Sequence, residues 1–330
     1  MTDTSAEPSL SEKPSQADTR EQKGRSRPLG LSWSTWITVA AVGLAAYLLY
    51  RTLSGYSYAE IVTSVKGIPG PRLAAAVGFM AASYLTLTLF DYLALRYAGH
   101  RLSWRRAALA SFTALSLGHS IGFAGVSSGA IRYRFYARWG LDVEDVTKVV
   151  LFSGLTVALG LMTLGGSALL LRSGDAADVT GLGTGMVLAL GAVLLGLVAA
   201  YIAAAARMTA PVTIRKWVFR MPGVKLALAQ VGVGALNFAL VAACLHQAVA
   251  GFADVPYVTV ATAYVIANTT ALLAHVPGGL GVIEATVLHM IPGEGLIGAV
   301  LIFRFVYFLL PLPIGAVSLI VSEFAIRRGR

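Results

Sequence analysis

The chain has 330 residues, of which 56% are hydrophobic and only 13% charged. That balance excludes a water-soluble globule, and several apolar runs near the roughly 20 residues needed to cross a ~30 Å hydrocarbon core read as a polytopic, all-α membrane protein. A net charge of +10 would suggest nucleic acid in a soluble chain, but the cations fall between apolar runs, as positive-inside orientation and anionic headgroups require, so no nucleic-acid partner is expected. The single cysteine, Cys244, excludes an internal disulfide and a cysteine-based metal cluster.

Residues 1–30 are rich in Ser, Glu, Lys, Arg, Gln and Pro without apolar periodicity, and are expected to be a disordered tail. They do not read as a signal peptide, because the apolar segment begins too late. Lys13, Arg20, Lys23, Arg25 and Arg27 place this tail in the cytoplasm. Residues 33–53 form the first expected span, with Trp33, Trp36, Tyr47 and Tyr50 as interfacial anchors. A short amphipathic helix over 56–65 follows on the far surface, and a second span over 73–97 carries Asp91. Arg96 or a cation from elsewhere is expected to neutralise that carboxylate, either as a structural ion pair or as part of a functional site. Arg101, Arg105 and Arg106 then mark a cytoplasmic loop.

The next apolar run, 107–125, breaks up over the glycine- and serine-rich 118–129 before a short helix at 130–139 that holds Arg132, Arg134 and Arg138. A full crossing here would put those arginines outside and the acidic loop at Asp175 and Asp178 inside, inverting the charge bias. A re-entrant hairpin from the cytoplasmic face removes the conflict. Spans over 149–171 and 182–205 follow, joined by a loop, 173–180, without Lys or Arg. Arg207, Arg215, Lys216, Arg220 and Lys225 form a strong cytoplasmic cluster, after which 226–249 spans outward. The last span, 296–322, ends in Arg327, Arg328 and Arg330, which puts the C-terminus in the cytoplasm. Small-residue runs at 160–166 and 181–185 read as helix-packing faces, and Pro311 and Pro313 as a kink.

Between the last two spans lies a second break, His275-Val276-Pro277-Gly278-Gly279-Leu280-Gly281-Val282-Ile283-Glu284. Proline lacks the donor N–H and glycine carries the largest backbone entropy cost, so this stretch cannot continue a helix although its flanks, 258–274 and 282–290, are fully apolar. Since the last span must start outside, 258–292 must enter and leave from the outside. The expected architecture is six full spans and two opposed re-entrant hairpins in an inverted repeat, the pattern of secondary transporters with sites at broken helices. It divides into a 1–30 tail, a 31–323 membrane domain and a 324–330 basic tail.

Glu284 sits in the first turn of the restarted helix, where free N–H groups favour a carboxylate, as a cap or as a functional group. Arg304 lies about 12 Å into the last span at 1.5 Å per residue, where an unpaired guanidinium is costly. It shares a face with Tyr307, and Glu284 is its nearest anion. Their pairing would be static, or opened by a substrate phosphate that arginine grips bidentately. Ser128, Arg132 and Arg134 form a second candidate anion site, if a helix starts after Gly129; interfacial snorkelling explains the arginines equally well. His119 and His275 lie at the two breaks and, with Asp91, make a candidate proton relay beside the simpler role of filling the turns. Asn268, Thr269 and Thr270 suit interhelical hydrogen bonding. No metal-ligand spacing, Walker loop or nucleophile elbow is present, so neither a metal nor a cofactor is expected.

The segments Gly125-Val126-Ser127-Ser128-Gly129-Ala130-Ile131-Arg132-Tyr133-Arg134-Phe135-Tyr136, His275 to Glu284 and Arg304-Phe305-Val306-Tyr307 together resemble the membrane domain of the lysylphosphatidylglycerol synthase/flippase family, over about residues 33–322. The resemblance implies a bacterial inner-membrane protein that moves a phospholipid or related lipid, anionic phospholipid foremost, between leaflets. Full-length members add a C-terminal aminoacyl-transferase domain; the sequence to Arg330 has none, so synthase activity, and enzyme activity generally, is not expected. The competing expectations are a membrane-embedded enzyme using His275 and Glu284 as acid and base, and an accessory subunit for a lipid-modifying enzyme partner.

Overall fold

The computed structural model describes residues 67–121, 124–208, 212–214, 217–274, 276–293 and 295–328. The expected tail, first span and amphipathic helix lie outside the described residues, as does His275. Eleven α-helices are assigned among them: α1 (Gly70–Tyr97), α2 (Trp104–Ile121), α3 (Ala124–Tyr136), α4 (Val143–Leu171), α5 (Ser173–Thr180), α6 (Thr184–Arg207), α7 (Val224–Val249), α8 (Tyr257–Leu273), α9 (Val282–Met290), α10 (Leu296–Arg304) and α11 (Pro311–Arg328). A two-stranded antiparallel ribbon, β1 (Val212–Ile214) with β2 (Trp217–Phe219), joins α6 to α7, paired from Val212↔Phe219 to Ile214↔Trp217.

Five stretches among the described residues are long and apolar enough to cross a membrane: Gly70–Tyr97, Val143–Leu171, Thr184–Arg207, Val224–Val249 and Leu296–Ser322. They coincide with the second to sixth expected spans. The chain is an all-α polytopic membrane protein. Between the spans, α2 packs along α3 and α8 along α9, giving the two helical hairpins. At 17 and 9 residues, α8 and α9 are each shorter than the roughly 20 needed for a crossing.

The packing has the symmetry of a repeat. Exchanging α1 with α7, α2 with α8, α3 with α9, and α4 with the last span turns one set of helix contacts into another that is also present. Thus α2 packs on α11 as α8 packs on α4, and α1 on α2 as α7 on α8. Likewise α3 meets α4 as α9 meets α10, and α1 meets α4 as α7 meets α10. The α1–α7 contact, the most extensive among the described helices, maps onto itself. Two large apolar cores follow from this arrangement among the described residues, beside a small third one around Leu169, Ala176 and Val187. One joins Met80, Tyr84, Leu245 and Val249 to Val260, Val287, Val300 and Phe303; the other joins Leu95, Leu117, Phe135, Val149 and Leu319.

In lipid, helices associate through close packing, and small residues set how close. Gly160, Gly165 and Gly166 of α4 each serve a different neighbour. A Cβ on Gly160 would lie 2.5 Å from the backbone of Gly234 in α7, one on Gly165 would lie 2.9 Å from Val265 in α8, and one on Gly166 would lie 2.8 Å from Leu195 in α6. The packing face expected at 160–166 is therefore present. The one expected at 181–185 meets no partner among the described residues: Gly181, Gly183 and Gly185 have nothing described within 4 Å of their Cβ positions. Gly181 instead ends α5 in the left-handed conformation, φ 69°, its N–H bonding to Ala177.

Two further expectations are corrected. Residues 173–180, read as a loop, form α5, which Arg172 ties down by donating to Asp175 at 2.9 Å and to Thr259 of α8 at 2.7 Å. The break read over 118–129 is far shorter, because α2 runs to Ile121 and α3 resumes at Ala124. Gly118 lies inside α2 so that the two arms can approach; a Cβ there would sit 3.1 Å from that of Ser128. The irregularity of the last span precedes Pro311 as a π-turn over Phe305–Leu309, closed by Leu310 N–H to Phe305 C=O at 2.8 Å.

Candidate functional site

The tip of the second hairpin is built from residues that need positive φ. Gly278, Gly279 and Gly281 have φ of 58°, 62° and 79°, which glycine adopts without the steric cost a Cβ would bring. This turn aims the Gly278 and Gly279 carbonyls at Arg304, whose NH1 and NH2 donate to them at 2.8 and 2.9 Å. The same guanidinium grips Glu284 bidentately, NH2 donating to Oε2 at 2.7 Å and Nε to Oε1. Glu284 also caps its own helix, accepting from the N–H of Gly281 at 2.9 Å. The Arg304 side chain is 4% exposed and that of Glu284 15%. Both readings of Glu284, cap and ion-pair partner, thus hold at once.

The first hairpin carries a second pair. Arg132 of α3 reaches Asp91 of α1, donating from NH2 to Oδ1 at 2.8 Å and from Nε to Oδ2 at 2.9 Å. Tyr136, one turn further along α3, donates to Asp91 Oδ2 at 2.6 Å, and Arg132 NH1 donates to Ser128 Oγ at 2.8 Å. The Asp91 side chain is wholly buried and that of Arg132 4% exposed. Arg96, the local partner expected for Asp91, instead lies exposed over the Tyr92 ring. Ser128 and Arg132 do not follow a helix N-terminus, since α3 has already started at Ala124. Arg134 is half-buried two residues on and Arg138 is exposed. Tyr136 was missed in the sequence, although its spacing of four from Arg132 places both on one helix face.

The two hairpins meet at their tips. A Cβ on Gly278 would lie 3.8 Å from the His119 carbonyl and 3.9 Å from Arg304 NH1, so the end of α2 abuts the turn that Arg304 holds. The His119 ring stacks on Tyr307 at 6.4 Å and lies edge-on to Tyr84 and Phe308, and its Nδ1 is buried with no hydrogen-bond partner among the described residues. No side-chain hydrogen bond joins it to Asp91. Thr269 and Thr270, further down α8, are exposed.

Tyr307 anchors a buried polar knot linking α1, α7 and the last span. Ser83 Oγ donates to Asn237 Oδ1 at 2.8 Å, which uses its only proton, so Tyr307 donates to Ser83 at 2.9 Å. Pro311 has no N–H to give the Tyr307 carbonyl four residues back, and the Tyr84 hydroxyl donates to it at 3.3 Å. Ser83→Ala strands two buried polar atoms and is expected to cost about 1–3 kcal/mol, more than Tyr307→Phe, which leaves the Ser83–Asn237 bond intact. Unfolding of both variants in mixed micelles measures the difference, and equal losses would contradict the assigned directions.

The described helices thus form a bundle with two hairpins related by exchange, which meet where polar groups cluster. The chain belongs to the family described as lysylphosphatidylglycerol synthase TM region, which it matches over residues 38–315. It is 27% identical over 303 residues to protein slr0712 of Synechocystis sp., spanning 89% of this chain and 94% of that protein. It is also 27% identical over 304 residues to the inner membrane protein YbhN of Escherichia coli, spanning 90% of this chain and 93% of that one.

Proposed function

We propose that this protein is a lipid translocase of the bacterial inner membrane, with both termini in the cytoplasm and no enzymatic activity of its own. Family membership and the likeness to YbhN support the lipid and inner-membrane parts of this reading. The observation that carries it is the Glu284–Arg304 pair at the junction of the two hairpin tips. A guanidinium fork matches a phosphate as well as a carboxylate. A lipid phosphate can therefore take the place of Glu284 on Arg304, releasing the hairpin tip from the last span while the acyl chains stay in the bilayer. The Asp91–Arg132 pair, bonded also to Ser128 and Tyr136, holds the first hairpin against α1 as the fixed counterpart. In vesicles carrying a fluorescent phospholipid, addition of a membrane-impermeant quencher reports how much label is in the outer leaflet. Protein-dependent loss of the protected half is expected, and protection identical to that in empty vesicles would refute the reading.

A further inference from the structure

We propose that the headgroup taken up at the second hairpin is one that carries a phosphate and a primary ammonium together, net neutral, in preference to one carrying the phosphate alone. This rests on the reading of Arg304 as the phosphate partner. The site is charge-balanced, with one guanidinium and one carboxylate, and no other salt bridge among the described residues reaches either group. A purely anionic headgroup that displaces Glu284 from Arg304 leaves the carboxylate with the Gly281 N–H alone, in a setting where its side chain is only 15% exposed. Stranding one member of a buried pair is what makes such pairs costly to break.

An ammonium a few bonds from the phosphate removes that cost. The phosphate occupies the guanidinium fork, and the ammonium moves to Glu284. An ammonium needs three acceptors. The turn supplies them: as Arg304 swings to the phosphate it releases the Gly278 and Gly279 carbonyls, which join the Glu284 oxygens as acceptors. Every charge stays paired throughout the exchange. A headgroup with hydroxyls in place of the ammonium satisfies the carbonyls but leaves the carboxylate without a counter-ion. Glu284, the more exposed partner, is thus the selectivity residue and Arg304 the affinity residue.

Binding tests this without requiring transport. Short-chain phosphatidylethanolamine and phosphatidylglycerol are titrated separately onto the detergent-purified protein, with the shift in melting temperature as readout. The ethanolamine lipid is expected to bind about tenfold tighter, one decade in Kd. Glu284→Gln, which keeps a cap acceptor, is expected to abolish the preference, and Glu284→Asp to retain it. Free O-phosphoethanolamine is expected to give little shift; a full shift would assign the site to a soluble ligand and overturn the lipid assignment. Equal or tighter binding of the glycerol lipid by the unmodified protein overturns the proposal, whether or not the variants fold. Selective binding without leaflet transfer would refute the translocase reading and leave this one standing, while transfer with no selectivity would do the reverse.

Discussion

Arg132→Ala is expected to lower the stability of the folded protein by about 3–5 kcal/mol, the cost of stranding one member of a buried ion pair. Asp91 is wholly buried and takes three hydrogen bonds from the Arg132 guanidinium, so removal of that side chain leaves a buried carboxyl with, among the partners described above, only the Tyr136 hydroxyl. Asp91→Ala should cost a similar amount, because the guanidinium then keeps only Ser128 among the partners described above. The double variant should lose clearly less than the sum, since no lone charge remains. Equilibrium unfolding in mixed micelles measures the cycle. Losses that simply add would mean that the two groups do not act as a pair.

The second large effect lies at the α4–α7 crossing. A Cβ on Gly160 would sit 2.5 Å from the Gly234 backbone, and one on Gly234 would sit 2.6 Å from the Thr156 carbonyl. The clash is with backbone on both sides, so no side chain can swing away, and the helices must separate along the seam. Gly160→Val is expected to cost at least about 3 kcal/mol, the upper part of the range for overpacking, and to reduce the yield of monodisperse protein. Gly232→Ala on the same helix as Gly234 meets nothing within 4 Å and should leave stability unchanged or slightly raised, as helix propensity predicts. Equal tolerance of both substitutions would show that the seam is looser than its geometry implies.

What the sequence revealed depended on whether an interaction was local. The Glu284–Arg304 pair was legible because a deep cation in an apolar span needs an anion, and Glu284 was the nearest one. Its capping role was legible for the same reason, three residues after a glycine break. The Asp91–Arg132 pair was not legible, because the partner lies 41 residues away on another helix. Arg96 was the local candidate, yet five residues turn a helix by about 140° beyond one full turn, which carries Arg96 to the exposed side. Glycine was the other source of error. At Gly278, Gly279 and Gly281 it marks positive φ and a true break, whereas at Gly118 it marks a close approach between two continuous arms. The composition of a segment does not distinguish these uses; only the neighbouring helix does. The short α5 escaped notice although Asp175 in its first turn and Gly181 beyond its end are ordinary boundary signals.

The second to sixth span assignments came through because they rest on length and hydropathy, which are properties of the chain itself. The exchange symmetry of the packing pairs the same two units that the charge bookkeeping had matched, without any visible identity between the hairpins. The buried knot of Ser83, Asn237 and Tyr307 lay beyond that reasoning. Ser83 and Asn237 are unremarkable in their own apolar runs, and only the contact of α1 with α7 and the last span brings them to Tyr307.

Leaflet transfer by Arg304→Ala and Glu284→Ala, reconstituted at matched protein density and compared with the unmodified protein, bears most directly on the role of the second hairpin. If Arg304 holds the lipid phosphate and Glu284 the resting hairpin, both variants should remain folded and transfer should fall to the rate of empty vesicles. Unchanged transfer in both folded variants would contradict the account.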